Sequence, residues 1–191
     1  MAAISSTILQ ICRCGDEIVS SRTVYGGTYA LFKNFLPRLG VKVRFVNITD
    51  LDAVKAAIND KTRIIYCESI SNPLLEVADT PALAVIHSLT KFINGTSDCV
   101  AGCVCATEEF IHQLTDVNSG ACMLLGPVLD SLRSASILKN LHSLHIRMKK
   151  HSENALYLAQ RLSQIGIKTY YPGLETHKDH QLMKRLVNSG F

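Results

Sequence analysis

Apolar runs alternate with helical patterns along the chain, and that alternation predicts an α/β organisation. Residues Ala2 to Cys12 predict a helix stopped by Gly15, and Glu17–Ser20 a short buried strand. After Tyr25-Gly26-Gly27-Thr28, residues 29–39 predict a helix ending at Gly40. Lys42–Val46 reads as a second strand, and Asp50–Asn59 as a helix with its N-cap at Thr49 or Asp50. Arg63–Cys67 is a third strand, whose Ile-rich run suits a parallel strand buried on both faces. Cys99–Cys105 is a fourth, with a helix over Glu108–Asp116 behind it. Further on, Leu141, Leu144, Met148, His151, Ala155, Leu158, Leu162 and Ile165 alternate steps of three and four. That stripe predicts one long amphipathic helix ending at Gly166, with His151 as a core or rim residue. Lys168–Tyr171 predicts a strand opening a second layer, and Pro172-Gly173 a turn. Residues 79–91 allow either a continuous helix or a frayed junction.

Composition narrows the class. A chain of 191 residues with 47% hydrophobic residues can bury a sizeable core, which excludes global disorder. No apolar run is long enough to span a bilayer, because Ser5, Ser6, Thr7 and Gln10 interrupt Ile4–Ile11. The N-terminus carries no basic region and no transit-peptide character, so a cytoplasmic location is expected. The net charge of +4 is modest, and its densest cluster (Arg147, Lys149, Lys150) belongs to a solvated helix face. Neither nucleic acid nor membrane is an expected partner. Seven cysteines without a secretory signal argue for reduced thiols. The i, i+2 spacing of Cys12/Cys14 and Cys103/Cys105 is not a metal pattern, so core packing is expected for Cys99, Cys103 and Cys105, with no metal.

The candidate chemistry lies in an ordered set of motifs. A helix-opening Met1-Ala2-Ala3-Ile4-Ser5-Ser6 precedes a strand followed by Tyr25-Gly26-Gly27-Thr28. A strand followed by Ser-x-Asn-Pro ending in Asn72-Pro73 comes next, and then His87-Ser88-Leu89-Thr90-Lys91. Each motif alone is weak, but the order resembles the Cys/Met-metabolism family of pyridoxal-phosphate (PLP) enzymes of trans-sulfuration. Within that family it is most similar to the methionine γ-lyases, the plant-like ones in particular. Asn94-Gly95, Asp98, Ala101-Gly102, Leu125-Gly126-Pro127, Arg147-Met148, His151, Asn154-Ala155 and Tyr171-Pro172-Gly173-Leu174 extend the resemblance over essentially the whole chain. It implies pyridoxal 5'-phosphate as cofactor and Lys91 as the lysine that attacks its aldehyde, in a partly desolvated site. Ser88 and Thr90 would donate to the phosphate. The Met1 backbone N–H would join them at a helix N-terminus. Tyr25 would stack on the pyridine ring and act as acid/base toward the leaving thiolate, and Asn72 would hydrogen-bond the ring's 3-oxygen.

The same resemblance implies an aspartate-aminotransferase-like (PLP-dependent type I) large domain, a mostly parallel sheet lacking one central strand. The start of a small C-terminal α+β domain follows. The domain expectation is 1–140 for the incomplete PLP-binding domain and 141–191 for the long helix and the beginning of the second. Three departures from the family pattern bear on function. The chain opens on what resembles an internal methionine, without the N-terminal arm. Between Ala84 and Val85 half a helix, a strand and a loop are missing, and with them the aspartate that pairs with the pyridinium nitrogen. The chain also stops at Phe191, ahead of the arginine that holds the substrate carboxylate. Asp79, Asp98, Arg147 and Arg185 are poor substitutes by position. Such a chain fits a splice-altered product or a degenerate duplicate.

The expected function is that of an impaired PLP-dependent carbon–sulfur lyase acting on a small sulfur amino acid. The methionine γ-lyase reaction converts methionine to methanethiol, ammonia and 2-oxobutanoate. Cystathionine γ-lyase, cystathionine γ-synthase and homoserine-ester sulfhydrylase activities stay open. A non-catalytic subunit is the competing class, since the family is homotetrameric and builds each site from two subunits. The expected assembly is a homo-oligomer, or a hetero-oligomer with a complete paralogue.

Overall fold

Strand β1 (Glu17–Ser21) is buried along its whole length, and the structure, a computed structural model describing residues 1–78 and 83–187, is organised around it. Ile18 and Val19 point to opposite faces, as successive strand residues must, and both are fully covered. β1 pairs in parallel with β2 (Lys42–Val46) on one side and β3 (Thr62–Tyr66) on the other. The register runs from Glu17 opposite Lys42 to Ser21 opposite Val46. Glu17 is buried, and its carboxylate accepts from Asn59 and Arg44, each at 2.8 Å. Those two donors hold its carboxyl below the usual range. Ionic pairing thus lets a charged residue begin a central strand.

Helix α1 (Ala2–Ile11) lies over this sheet. Its Ile8 joins Cys12, Ile18, Phe32, Leu36 and Val41 in one core cluster, against which Ile4, Ile11 and Tyr66 also pack. Phe32 meets Tyr66 edge-on with centroids 5.0 Å apart. Burial pushes the Cys12 thiol up to about 11, as suits a small core residue with no redox chemistry.

The helix predicted over 29–39 begins earlier and changes geometry twice. Helix α2 (Gly26–Ala30) runs into a π-helical turn over Leu31–Phe35 and a 3₁₀ turn over Leu36–Leu39. Pro37 lacks the N–H that an α-helical turn needs, and Gly40 ends the run in the left-handed region at φ 77°. Helix α3 (Leu51–Ala57) is shorter than expected, and its N-cap is Asp50, which accepts from Ala53 N–H at 3.0 Å.

The sheet is interrupted where the sequence suggested damage. Strand β3 was expected to be buried on both faces, yet its Ile65 is 49% exposed. Among the described residues the three-stranded sheet has order β2-β1-β3, so β3 is an edge. Residues 79–82, Asp79 included, lie outside the described residues. From Ala84 onward the continuous-helix alternative is replaced by strand β4 (Ala84–Ser88). β4 pairs antiparallel with β5 (Gly102–Ala106) as a separate ladder, Ser88 opposite Gly102. β5 is thus the C-terminal part of the strand predicted over Cys99–Cys105. Cys99 is buried, whereas Cys103 is half-buried and Cys105 exposed.

Helices α4 (Glu108–Thr115), α5 (Ala121–Leu125) and α6 (Ser131–Leu141) follow. Gly120 is required between α4 and α5, since a Cβ there would stand 2.5 Å from the Leu114 carbonyl oxygen. The long stripe is divided between two helices. α6 ends at Leu141 and α7 (Leu144–Gln164) begins after His142–Ser143, where the Ser143 hydroxyl donates back to the Asn140 carbonyl at 3.1 Å. Lys168–Tyr171 is not a strand: among the described residues no strand pairs with it, and the Lys168 ammonium lies 5.1 Å over the Tyr170 ring. Helix α8 (His180–Leu186) closes the described chain.

Candidate cofactor site

Four of the motif segments emerge at the ends of secondary-structure elements. Tyr25 lies just beyond β1, Asn72 beyond β3, Ser88 to Lys91 at the end of β4, and Met1 at the start of α1. Ligand sites of open α/β sheets are built at the carboxyl ends of strands, and this arrangement follows that rule.

Close approaches tie these segments together. A Cβ built at Gly27 would fall 2.7 Å from Tyr25 Cε1 and 3.3 Å from Met1 Sδ, so the Met1 and Tyr25 side chains converge on that glycine. A Cβ at Gly102 would fall 3.1 Å from Ala3 Cβ and 3.4 Å from the His87 carbonyl oxygen. Glycine at both positions lets the start of α1 approach Tyr25 on one side and β5, opposite the end of β4, on the other. No side chain caps that turn, which leaves its first N–H groups open to an anion.

Tyr25 is 55% exposed, so its ring has a free face. Its backbone N–H donates to Glu68 Oε1 at 2.7 Å, and the Asn72 N–H donates to Glu68 Oε2 at 3.2 Å. Glu68 was not singled out by the sequence reading. The available signal was a carboxylate just past a parallel strand and four residues before Asn72.

Asn72 is exposed on a loop closed by the bridge between Ile70 and Val77. Ser71 Oγ accepts from the Glu76 N–H at 3.0 Å inside that loop. Beyond Pro73 opens a cavity of about 1020 Å³, lined by Leu74, Leu75, Ile167, Lys168 and Lys178 among others, but by none of the predicted site residues.

Lys91 is exposed, so the expected partial desolvation is not supplied by the surrounding described residues. It sits in a π-helical segment over Leu89–Ile93, with a non-helical backbone at φ −87°, ψ −127°. Ser88 precedes that segment and makes no capping bond. The Thr90 hydroxyl is engaged twice by one residue: it donates to the Ala101 carbonyl at 3.2 Å and accepts from the Ala101 N–H at 3.0 Å. Any donation from Thr90 to a phosphate therefore requires the bond to the Ala101 carbonyl to open.

Arg147, on α7, holds the far end of this segment. Its guanidinium donates to the carbonyls of Phe92 at 2.5 Å, Ile93 at 3.1 Å and Asn140 at 2.9 Å. A group so committed to backbone oxygens is not available for a substrate carboxylate. Beside it Asn94, 1% exposed, donates to Asp98 at 2.7 Å and accepts from Asn140 at 2.9 Å. His151 is exposed and tilted against Phe92 at 5.1 Å, a rim position. Among the described residues there is no cluster of metal-ligating side chains, and no helix is long and apolar enough to cross a membrane.

The profile of the Cys/Met metabolism PLP-dependent enzymes matches residues 1–85 and 82–191, all of the chain in two segments. The chain belongs to this family. Its two matched segments meet at 82–85, where the family pattern is interrupted. A methionine gamma-lyase of Arabidopsis thaliana is 37% identical over 223 residues, covering 100% of this chain and 51% of the relative. An O-succinylhomoserine sulfhydrylase of Pseudomonas aeruginosa is 34% identical over 224 residues, covering 100% and 54%. Both alignments exceed the 191 residues of this chain, so each relative has residues with no counterpart here. The chain spans about half the length of these curated relatives.

A solved O-acetylhomoserine (thiol)-lyase of Campylobacter jejuni, which carries N'-pyridoxyl-lysine-5'-monophosphate, superposes with TM-score 0.87. At 22% identity it covers 100% of this chain and 62% of that one, and it shows the fold. The α/β fold of the type I PLP enzymes is thereby established for the described region. The residues present offer such a cofactor an exposed tyrosine beside Gly27, an uncapped helix start and an exposed amine.

The Asp98 network generates a pH prediction. Hydrogen bonds from Asn94 and Thr96 hold the Asp98 carboxyl below the usual range. Its contribution is present above the ordinary aspartate pKa of about 3.9 and is lost as pH falls through the lowered value. Thermal midpoints of the wild type should drop through this acid window. Those of Asp98→Asn, lower at neutral pH, should drop less, and parallel curves would show that Asp98 carries none of the dependence.

Proposed function

We propose that this chain is a PLP-binding lyase component of sulfur amino-acid metabolism, of methionine γ-lyase type, with a weakened capacity for elimination. The observation that carries the reading is the approach of one helix start to two motif segments, Tyr25-Gly26-Gly27 and Ala101-Gly102, the second of which is paired with the end of β4. The cofactor, when bound, supplies the electron sink for carbanion chemistry. The chain's residues supply the rest. Lys91 offers the amine that anchors the aldehyde and afterwards moves a proton at the substrate carbon. Tyr25 covers one ring face and presents a phenol that can protonate a departing thiolate. Ser88, Thr90 and the N–H groups from Met1 onward hold the phosphate, and the Asn72 amide donates to the 3-oxygen. The substrate class is a sulfur amino acid, with methionine favoured by the 37% identity to a methionine gamma-lyase. A cytoplasmic setting suits free thiols and a thiol product.

In this reading the aspartate that would partner the ring nitrogen belongs to the stretch absent between Ala84 and Val85. Asp98 is committed elsewhere, its Oδ1 accepting from both Asn94 and Thr96. The ring nitrogen then lacks an anionic partner and the electron sink is weaker. The site has a cofactor grip and a poor engine.

Surface area supports an assembly reading. A compact monomer of this mass exposes about 9,000 Å², whereas this chain exposes 12483 Å². Leu124, Leu125, Val128, Leu132, Ile146 and Leu158 are all more than half exposed. Association with a second copy, or with a complete paralogue, would cover them.

Three outcomes follow. Borohydride reduction of the PLP-loaded chain should label Lys91 alone, and a label spread over Lys149, Lys150 and other lysines would remove the site assignment. Thiol release from methionine should run about a hundredfold or more below that of a full-length relative, since each ~1.4 kcal/mol lost is about tenfold in rate. Equal rates would mean that another carboxylate serves the ring nitrogen. Light scattering over a dilution series should show self-association, and a monodisperse 21.0 kDa species at every concentration would contradict it.

A further inference from the structure

The ladder between β1 and β3 ends at the pair Ser20–Tyr66, and both strands continue into loops that carry site residues. Beyond that point one side chain reaches the backbone of both loops. Glu68 accepts the Tyr25 N–H on one oxygen at 2.7 Å and the Asn72 N–H on the other at 3.2 Å. A second carboxylate braces the same two loops less directly: Thr23 Oγ1 donates to Glu76 Oε2 at 3.3 Å.

We propose that Glu68 is a positioning residue that sets the distance between Tyr25 and Asn72, and so the width of the slot into which the cofactor ring fits. The proposal rests on the PLP-binding reading above. An ionised carboxylate is the one side-chain group with two acceptor oxygens and no donor, so it can take one amide from each loop at once. Each bond is charge-assisted and therefore stronger than a neutral pair. Glutamine would turn an NH₂ toward one of the two amides. Aspartate keeps the charge but is one methylene shorter, so it reaches at most one of them. Tyr25 and Asn72 would act on different parts of the ring, its face and its 3-oxygen, so their separation matters more than either position alone. A shift of a few tenths of an ångström in the slot changes how well both act together.

Glu68→Gln and Glu68→Asp separate this role from general stability. In chains without cofactor, hydrogen exchange at the Tyr25 and Asn72 amides should rise about tenfold in both variants. The β1 amides (Glu17–Ser21) should stay protected and so report an intact fold. With PLP added, the visible band should form with lower affinity, and its pH midpoint should move up as the 3-oxygen loses its donor. Unchanged exchange at the two amides overturns the proposal. Faster exchange with an unmoved pH midpoint also overturns it, because Glu68 would then be merely structural. A wild-type chain that gives no visible band with PLP removes the cofactor reading and the positioning role with it, whereas a normal wild-type band beside unaltered variants removes only the role of Glu68.

Discussion

The seat of helix α1 is the constraint on which the rest of the structure depends. Among the described residues the two sheets share no strand pairing, so strand pairing does not fix β1-β2-β3 relative to β4-β5. α1 lies against β3, β5, α4 and α5, and thereby spans the gap. Its Ile8 is buried with Ile18 and Phe32, its Gln10 accepts the Ala121 N–H at 2.8 Å, and its Ala3 rests on Gly102. Two glycines make that seat possible. Had Gly27 or Gly102 carried a Cβ, the Tyr25 ring or Ala3 would have to shift to make room for it.

A second layer of support comes from polar bonds behind the lysine. Arg147 draws together carbonyls from the Leu89–Ile93 segment and from α6, while Asn94, Asp98 and Asn140 form a chain of bonds beneath it. Partly buried and in part charge-assisted, these bonds favour one arrangement of the turn, which apolar packing alone would leave adjustable. The lysine therefore stands on a rigid base although its own side chain is exposed. The same logic explains Glu17 in β1, where a buried charge is tolerated because Arg44 and Asn59 meet it.

The sequence made the strands legible wherever apolar runs were short and bounded by turn residues, as at Glu17–Ser20 and Lys42–Val46. It failed where partners decide. Lys168–Tyr171 alternates like a strand but pairs with no strand among the described residues, and the stripe from Leu141 looked continuous because a short break at His142–Ser143 preserves its phase. The exposure of Ile65 could not be read from composition, since an Ile-rich run looks the same at a sheet's centre and at its edge. Of the site, the motif residues were legible through their order along the chain. Glu68, Arg147 and the engagement of Thr90 with Ala101 were not, because each acts through backbone groups that a sequence does not display.

The account stands or falls on whether the contact of α1 with both ladders builds a cofactor site. The direct measurement is an absorbance titration of the chain with pyridoxal phosphate, compared between the wild type and Gly102→Leu, with circular dichroism to confirm folding. The substitution replaces none of the proposed cofactor residues but pushes a side chain toward Ala3, 3.1 Å from where its Cβ would stand. The account predicts saturable binding of one cofactor per wild-type chain and an affinity at least about tenfold weaker in the folded variant. Equal affinity in the two folded chains would contradict it.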